Sequence, residues 1–321
     1  MAKIRVSIVQ FLNTAPLVWG FTNGPLQDRY ELSFTVPSLC AEALRAGQVD
    51  IAIIPAVEYQ RMSGLVLLPD MAVAAQGEVR SILVLAKKPI ESARTIALDT
   101  DSRSSVALTR LLCRGLWKIS PEFIDMSPDP AAMLATADAA LLIGDPALRV
   151  RLKVDELASK RAALTGTAGE ENQCCGGHSS DSGDSGEQPV PGIDMLFLYD
   201  VAEQWREMTG KPCVLAVWAG RRDVVTPEVV ADFQASKEYG LSHIGEIAED
   251  AALSLDMPAR YLETYLRENI DFSLDAENLA GLRHYFDLCA GAGLIPSAQP
   301  IVFAETPEGV AAPATSAKGA R

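Results

Sequence analysis

The stretch Ile4-Arg5-Val6-Ser7-Ile8-Val9-Gln10-Phe11-Leu12-Asn13-Thr14-Ala15-Pro16 decides how the chain is read. Ile4–Val9 is short, apolar and rich in β-branched residues, which predicts a strand. An amide and a hydroxyl follow at once, and then a proline suited to the first turn of a helix. Strand, polar turn and helix start are compressed into thirteen residues.

The same succession recurs outward from there. Leu32–Val36, Asp50–Ile54, Ile82–Ala86, Thr95–Leu98, Phe123–Met126 and Ala139–Ile143 read as further strands. Helices are predicted between several of them. One is Ser38–Ala46, with Ser38 as its cap and Gly47 ending it in a left-handed turn. Another is Ser104–Trp117, where Leu108, Leu111, Leu112 and Leu116 share a face. Such alternation predicts an α/β sandwich. After Pro212, Cys213–Ala219 reads as one more buried strand. From Thr226 the pattern is helical, with one helix opening at Asp256-Met257-Pro258 and another capped by Asp275.

The chain has 321 residues, enough for roughly two domains with substantial cores. Its net charge of −14 and 6% aromatic content argue against a nucleic-acid partner, which needs a basic surface or stacking platforms. Six dispersed cysteines lack the spacing of a disulfide framework or a zinc site and read as reduced thiols. The start reads as a strand rather than an export signal, and no apolar run approaches the ~20 residues of a membrane span, so a cytoplasmic protein without membrane insertion is expected. Gly166–Gly192 is crowded with Gly, Ser, Asp and Glu and is expected to be a flexible insertion. The Ala/Pro/Gly-rich tail beyond Glu305 is expected to fray.

Chemistry must come from what lies at the strand exits, where α/β sheets place their ligand clefts. Only three histidines are present, His178, His243 and His284, and none sits at such an exit. No Gly-x-Gly-x-x-Gly, Walker or Gly-x-Ser-x-Gly motif follows a predicted strand. Four places remain: Asn13-Thr14, Pro37-Ser38, Asp99 to Ser105, and Gly144-Asp145-Pro146. The third brings hydroxyls, the Arg103 guanidinium and helix-start amides together, a set suited to a carboxylate. Gly77 to Ser81 precedes a strand that could cross between lobes and act as a hinge.

The ordered set Phe11 to Leu17, Gly47 to Pro55, Ser102-Arg103-Ser104-Ser105, Ile143 to Leu148, Thr209 to Pro212 and Ala216-Val217-Trp218 resembles the chorismate dehydratase family of the futalosine route to menaquinone. The resemblance covers roughly Ile4 to Ala219, with a helical tail of the family's kind. It implies an α/β, two-lobed fold of the type II periplasmic-binding-protein kind: residues 1–88 as the first part of lobe I, 89–212 as lobe II with the insertion at 166–192, 213–305 as a return to lobe I with C-terminal helices, and 306–321 as a disordered tail. It also implies a hydro-lyase converting chorismate to 3-enolpyruvylbenzoate without cofactor or metal. Asn13 and Ser81 would be catalytic, with Thr14, Ser38, Ser102, Arg103, Ser104, Ser105, Gly144 and Asp145 binding the substrate. Gln10, Ala15, Cys213 and Leu215 depart from the family pattern around the pocket. The shortage of histidines points to the substrate's enolpyruvyl carboxylate as the base, with Asp145 and Glu58 as competitors. The alternative is a non-catalytic module that binds small carboxylates on the same fold.

Overall fold

A computed structural model describes residues 3–166 and 192–307. The bulk of the expected low-complexity insertion, with Cys174, Cys175 and His178, and the tail from residue 308 lie outside the described residues. Among the described residues ten strands form: β1 (Arg5–Val9), β2 (Glu31–Thr35), β3 (Ile51–Pro55), β4 (Leu65–Ala75), β5 (Ile82–Ala86), β6 (Thr95–Asp99), β7 (Glu122–Met126), β8 (Ala139–Ile143), β9 (Phe197–Asp200) and β10 (Cys213–Arg221). Between and after them run α1 (Ala15–Thr22), α2 (Pro37–Arg45), α3 (Ala56–Tyr59), α4 (Ser104–Gly115), α5 (Pro130–Thr136), α6 (Gly144–Gly166), α7 (Val201–Thr209), α8 (Pro227–Ser242), α9 (Ile244–Leu255), α10 (Ala259–Thr264) and α11 (Ala276–Gly291).

The strands build two five-stranded sheets of matching design, ordered β2-β1-β3-β10-β4 and β7-β6-β8-β5-β9. Each holds a parallel trio, and each takes an antiparallel strand beside that trio's last member: β10 against β3, and β5 against β8. The chain therefore passes from the first sheet to the second between Ala75 and Ile82 and returns at Cys213. This moves the first expected boundary. Residues 82–86 were assigned with the first lobe, but β5 pairs with β8 and β9 and belongs to the second. Every residue of β5 is buried; Leu83 and Leu85 face one apolar cluster, and Ile82, Val84 and Ala86 face the other. A strand covered on both faces is apolar throughout and carries no clue to its sheet.

Two strands escaped the sequence reading. β4 is interrupted by Pro69-Asp70, which reads as a turn, yet every residue of it except Asp70 is buried. The pairing with β10 explains this: Val217 faces Ala72 while Ala219 faces Leu67, so the extra residues bulge out. Asp70 adopts a left-handed φ of 60°, and the Lys237 ammonium caps the bulge by donating to the Asp70 carbonyl at 2.6 Å and carboxylate at 3.0 Å. β9 is an edge strand of four residues.

Local signals succeeded more often. Gly47 ends α2 with a φ of 69°, and Asp275 caps α11 by accepting from the Asn278 amide at 2.8 Å. Two caps differ. Pro37 occupies the first turn of α2, so Val36 takes the cap position and Ser38 lies within the helix. Asp256, with a φ of 51°, ends α9, and α10 starts only after Pro258. Among the described residues no helix is long and apolar enough to cross a membrane, and Cys40, Cys113, Cys213 and Cys289 are buried free thiols.

Helix α8 packs along α1 by backbone contact: a Cβ on Gly240 would lie 2.0 Å from the Pro16 carbonyl oxygen, and one on Gly20 would lie 2.6 Å from the Ser236 Cα. This contact seats α1, and with it the polar turn before it. Gly240→Ala is expected to lower the unfolding free energy by about 1–3 kcal/mol through overpacking. Gly245→Ala in α9 would bring a Cβ only into ordinary contact with Glu263 Oε1 at 3.8 Å and is expected to raise it by about 0.5–1 kcal/mol. Denaturant titration of both variants checks the pair.

Candidate active site

The exits of β1, β3, β6 and β8 converge between the sheets on a small cavity of about 50 Å³, below the roughly 300–1,000 Å³ of ordinary small-molecule sites. Lobe I contributes Asn13, Thr14, Pro37 and Pro55, with Val73, Leu215 and Ala216 from β4 and β10; lobe II contributes Ile82, Ser102, Ser104, Ser105, Ile143 and Gly144. Among the described residues no Asp, Glu, His, Lys, Arg, Cys or Tyr side chain lines this cavity.

Asn13 sits in a single 3₁₀ turn, Leu12–Thr14, that is bonded from several sides. The Thr14 hydroxyl donates to the carbonyls of Val9 and Phe11, so it shapes the turn. The Leu12 amide donates to Asp145 Oδ1 at 3.1 Å, across the cleft. On the opposite wall, Ser105 N donates to Ser102 Oγ at 3.2 Å, and Ser104 Oγ accepts from the Val57 amide of lobe I at 3.4 Å. The Ser104 carbonyl accepts from the Tyr285 hydroxyl at 3.1 Å. These bonds, with Ser38 N donating to the Asp101 carbonyl at 3.0 Å, hold the lobes together.

Gly144 is needed where it stands. Its φ is 66°, and a Cβ there would lie 2.7 Å from three atoms of the Phe11 ring. Phe11 thus packs on bare backbone and partitions the inner cavity from an outer basin lined by Trp19, Phe34, Asp145 and Asp250, both spaces sharing Val9, Phe11 and Thr14. Asn13, Thr14, Ser102, Ser104, Ser105 and Gly144 are accordingly brought together as expected.

Four expected site residues are not on the cavity wall. Ser38 is buried behind it, within α2. Arg103 points outward and pairs with Glu42 of α2 at 3.2 Å, so the guanidinium does not join the hydroxyls. Asp145 faces the outer basin. Ser81 is 1% exposed, next to the lining Ile82, and its Oγ accepts from the Tyr265 hydroxyl at 2.8 Å. Glu58 is clamped by Arg45 and by Arg61 at 2.7 Å, away from the cavity. His243 bonds within its own helix corner, and His284 packs on Trp205.

Two residues without an assigned role support the site. Asp99, 1% exposed, accepts from the Asp101 amide at 2.9 Å and the Ile143 amide at 3.3 Å, tying the exits of β6 and β8. Burial, only partly opposed by those amides, pushes its carboxyl up to about 6. Tyr265 looks in sequence like one more apolar-face residue of the C-terminal helices, and nothing local marks its hydroxyl as a partner of Ser81.

Two α/β lobes of this topology, closed over a small cavity at their strand exits, define a protein of the periplasmic-binding-protein fold. An Archaeoglobus fulgidus protein of known structure is similar over 91% of this chain and 98% of its own, at 17% identity and a TM-score of 0.63. The periplasmic aliphatic sulphonate binding protein of Escherichia coli is similar over 92% of this chain and 94% of its own, at 16% identity and a TM-score of 0.54. The chain belongs to the menaquinone biosynthesis family, whose profile matches residues 4–160 and 191–291. The chorismate dehydratase of Thermus thermophilus is 26% identical over 259 residues, 80% of this chain and 85% of the relative.

Burial pushes the Asp145 carboxyl up to about 6, against the Leu12 amide and the charge of Arg149, which favour its ionised form. The folded protein therefore binds this proton more tightly than the unfolded chain and loses stability as pH rises from about 4 to about 6. An asparagine keeps the acceptor for the Leu12 amide without the charge. Asp145→Asn is expected to stabilise the protein at pH 8 by roughly 1–3 kcal/mol and to leave it unchanged near pH 3.5, as read by melting at both pH values.

Proposed function

We propose that the protein eliminates water from chorismate to give 3-enolpyruvylbenzoate, and is a hydro-lyase of menaquinone biosynthesis. The observation that carries this reading is a cavity between the lobes with an amide, three serines and a helix start on its walls and, among the described residues, no titratable side chain. A wall without charge suits a reaction whose substrate supplies its own charges. The family match and the Thermus thermophilus relative support the same reading.

In the elimination, a ring C–H proton leaves and the neighbouring ring C–O bond breaks. The proton lies next to a ring double bond conjugated to the ring carboxylate, so the electron pair spreads onto that carboxylate before the ring becomes aromatic. Donors around it act on charge that grows in the transition state. The start of α4, with Ser102, Ser104 and Ser105, is suited to hold the ring carboxylate. Asn13 orients the departing hydroxyl or the side-chain carboxylate, and Ser81 supports the anchoring from behind Ile82. The enolpyruvyl carboxylate, folded over the ring, takes the proton and returns it to the leaving hydroxide, so water departs with no net exchange with the protein.

Incubation with chorismate is expected to yield the aromatic enolpyruvyl product. Saturable binding without turnover would instead make the protein a binding module. Asn13→Ala is expected to lower kcat by about 10²–10³. A positioned protein base contributes about 10²–10⁴, so Asp145→Asn and Glu58→Gln are expected to lose less than about tenfold. A loss of 10²–10⁴ in either amide variant would identify that carboxylate as the base.

A further inference from the structure

We propose that Tyr265 is a positioning residue for this reaction, its phenol holding the Ser81 hydroxyl in one fixed register. The proposal rests on the dehydratase reading above and goes beyond it, because it assigns a role to a residue that does not line the inner cavity.

Two distant parts of the chain meet at the Tyr265 oxygen. Ser81 ends the segment that crosses from β4 to β5, and Tyr265 opens a π-helical turn, Tyr265–Asn269, after α10. π-Helical turns are rare and concentrate at functional sites. The phenol donates to Ser81 Oγ at 2.8 Å. Ser81 is also held through its backbone, the carbonyl accepting from the Gly144 amide at 2.8 Å.

The direction of these bonds matters. Tyr265 is 2% exposed, and burial keeps the phenol protonated well beyond its ordinary range, so it remains a donor. With the Tyr265 proton occupying one lone pair of Ser81 Oγ, the Ser81 proton is free to point elsewhere. Hydrogen bonds in such a chain polarise one another in a dry interior. Tyr265 itself faces a different basin, beside Arg80, Asp155 and Tyr261, so its influence on the cavity passes through Ser81.

Tyr265→Phe removes one oxygen and leaves the ring in place. It is expected to lower kcat by about 10–100-fold, the effect of leaving a buried partner unsatisfied, with KM within about threefold of wild type. Combined with Ser81→Ala, which removes the acceptor and leaves the phenol's packing intact, it is expected to cost no more than the worse single variant. Tyr59→Phe is the control: that hydroxyl is likewise buried, accepts from the Val302 amide at 2.9 Å, and lies away from the cavity, so kcat should hold. Active-site titration expresses each rate per folded molecule. A wild-type kcat per folded molecule in Tyr265→Phe, equal losses in kcat and 1/KM, or additive losses with Ser81→Ala would each overturn the assignment while leaving the dehydratase reading intact. Absence of chorismate turnover in the wild-type protein overturns both.

Discussion

The turn at residues 11–14 owes its shape to bonds that come from both lobes, and the cavity depends on it. Thr14 ties it to the end of β1 through the Val9 carbonyl, and Asp145 reaches it from lobe II through the Leu12 amide. Because Phe11 packs against the bare Gly144 backbone from the same turn, one short segment sets the position of Asn13, the partition of the cavity from the outer basin and the closure of the lobes. Asp145 is partly desolvated in doing so, and its raised carboxyl is the cost of the clamp. Asp145 lines the outer basin and not the cavity, which argues against a second role as proton acceptor in the cavity.

Much of this was legible because each strand exit is written locally. A β-rich run followed by small polar residues and a helix start places those residues at one end of a sheet whatever the rest of the chain does, and Asn13, Ser102, Ser104, Ser105 and Gly144 were found that way. What failed to show was decided by distant partners. β4 was hidden by Pro69-Asp70, whose bulge is intelligible only beside β10 and Lys237. The sheet that β5 joins is fixed by β8 and β9, so the boundary fell after it rather than before. Arg103 looked like an anion ligand beside three serines, but its backbone turns the side chain toward Glu42 on a helix 61 residues earlier. Tyr265 is separated from Ser81 by 184 residues, and a tyrosine on an apolar helix face gives no sign of which hydroxyl it will meet.

The absence of charge on the cavity wall has a physical logic. The chain carries a net charge of −14, so the long-range field opposes the approach of a dianion, and recognition has to come from groups acting at contact distance. A lysine or arginine on the wall would hold a carboxylate strongly in the ground state and the transition state alike, which lowers KM without accelerating the chemical step. Neutral donors and a helix start, fixed by their own bonds, favour charge in proportion to how much has gathered at the atom they face. In the proposed elimination the ring carboxylate gains charge as the proton leaves, whereas the enolpyruvyl carboxylate loses it. A wall of oriented dipoles distinguishes the two ends of the substrate; a wall of cations would grip both and slow the transfer between them. The protein's task is then geometric. Asp99 ties two strand exits, Gly144 admits the Phe11 ring, and the turn after β1 is bonded on both sides, so that a small neutral set of donors keeps its alignment when water is shut out.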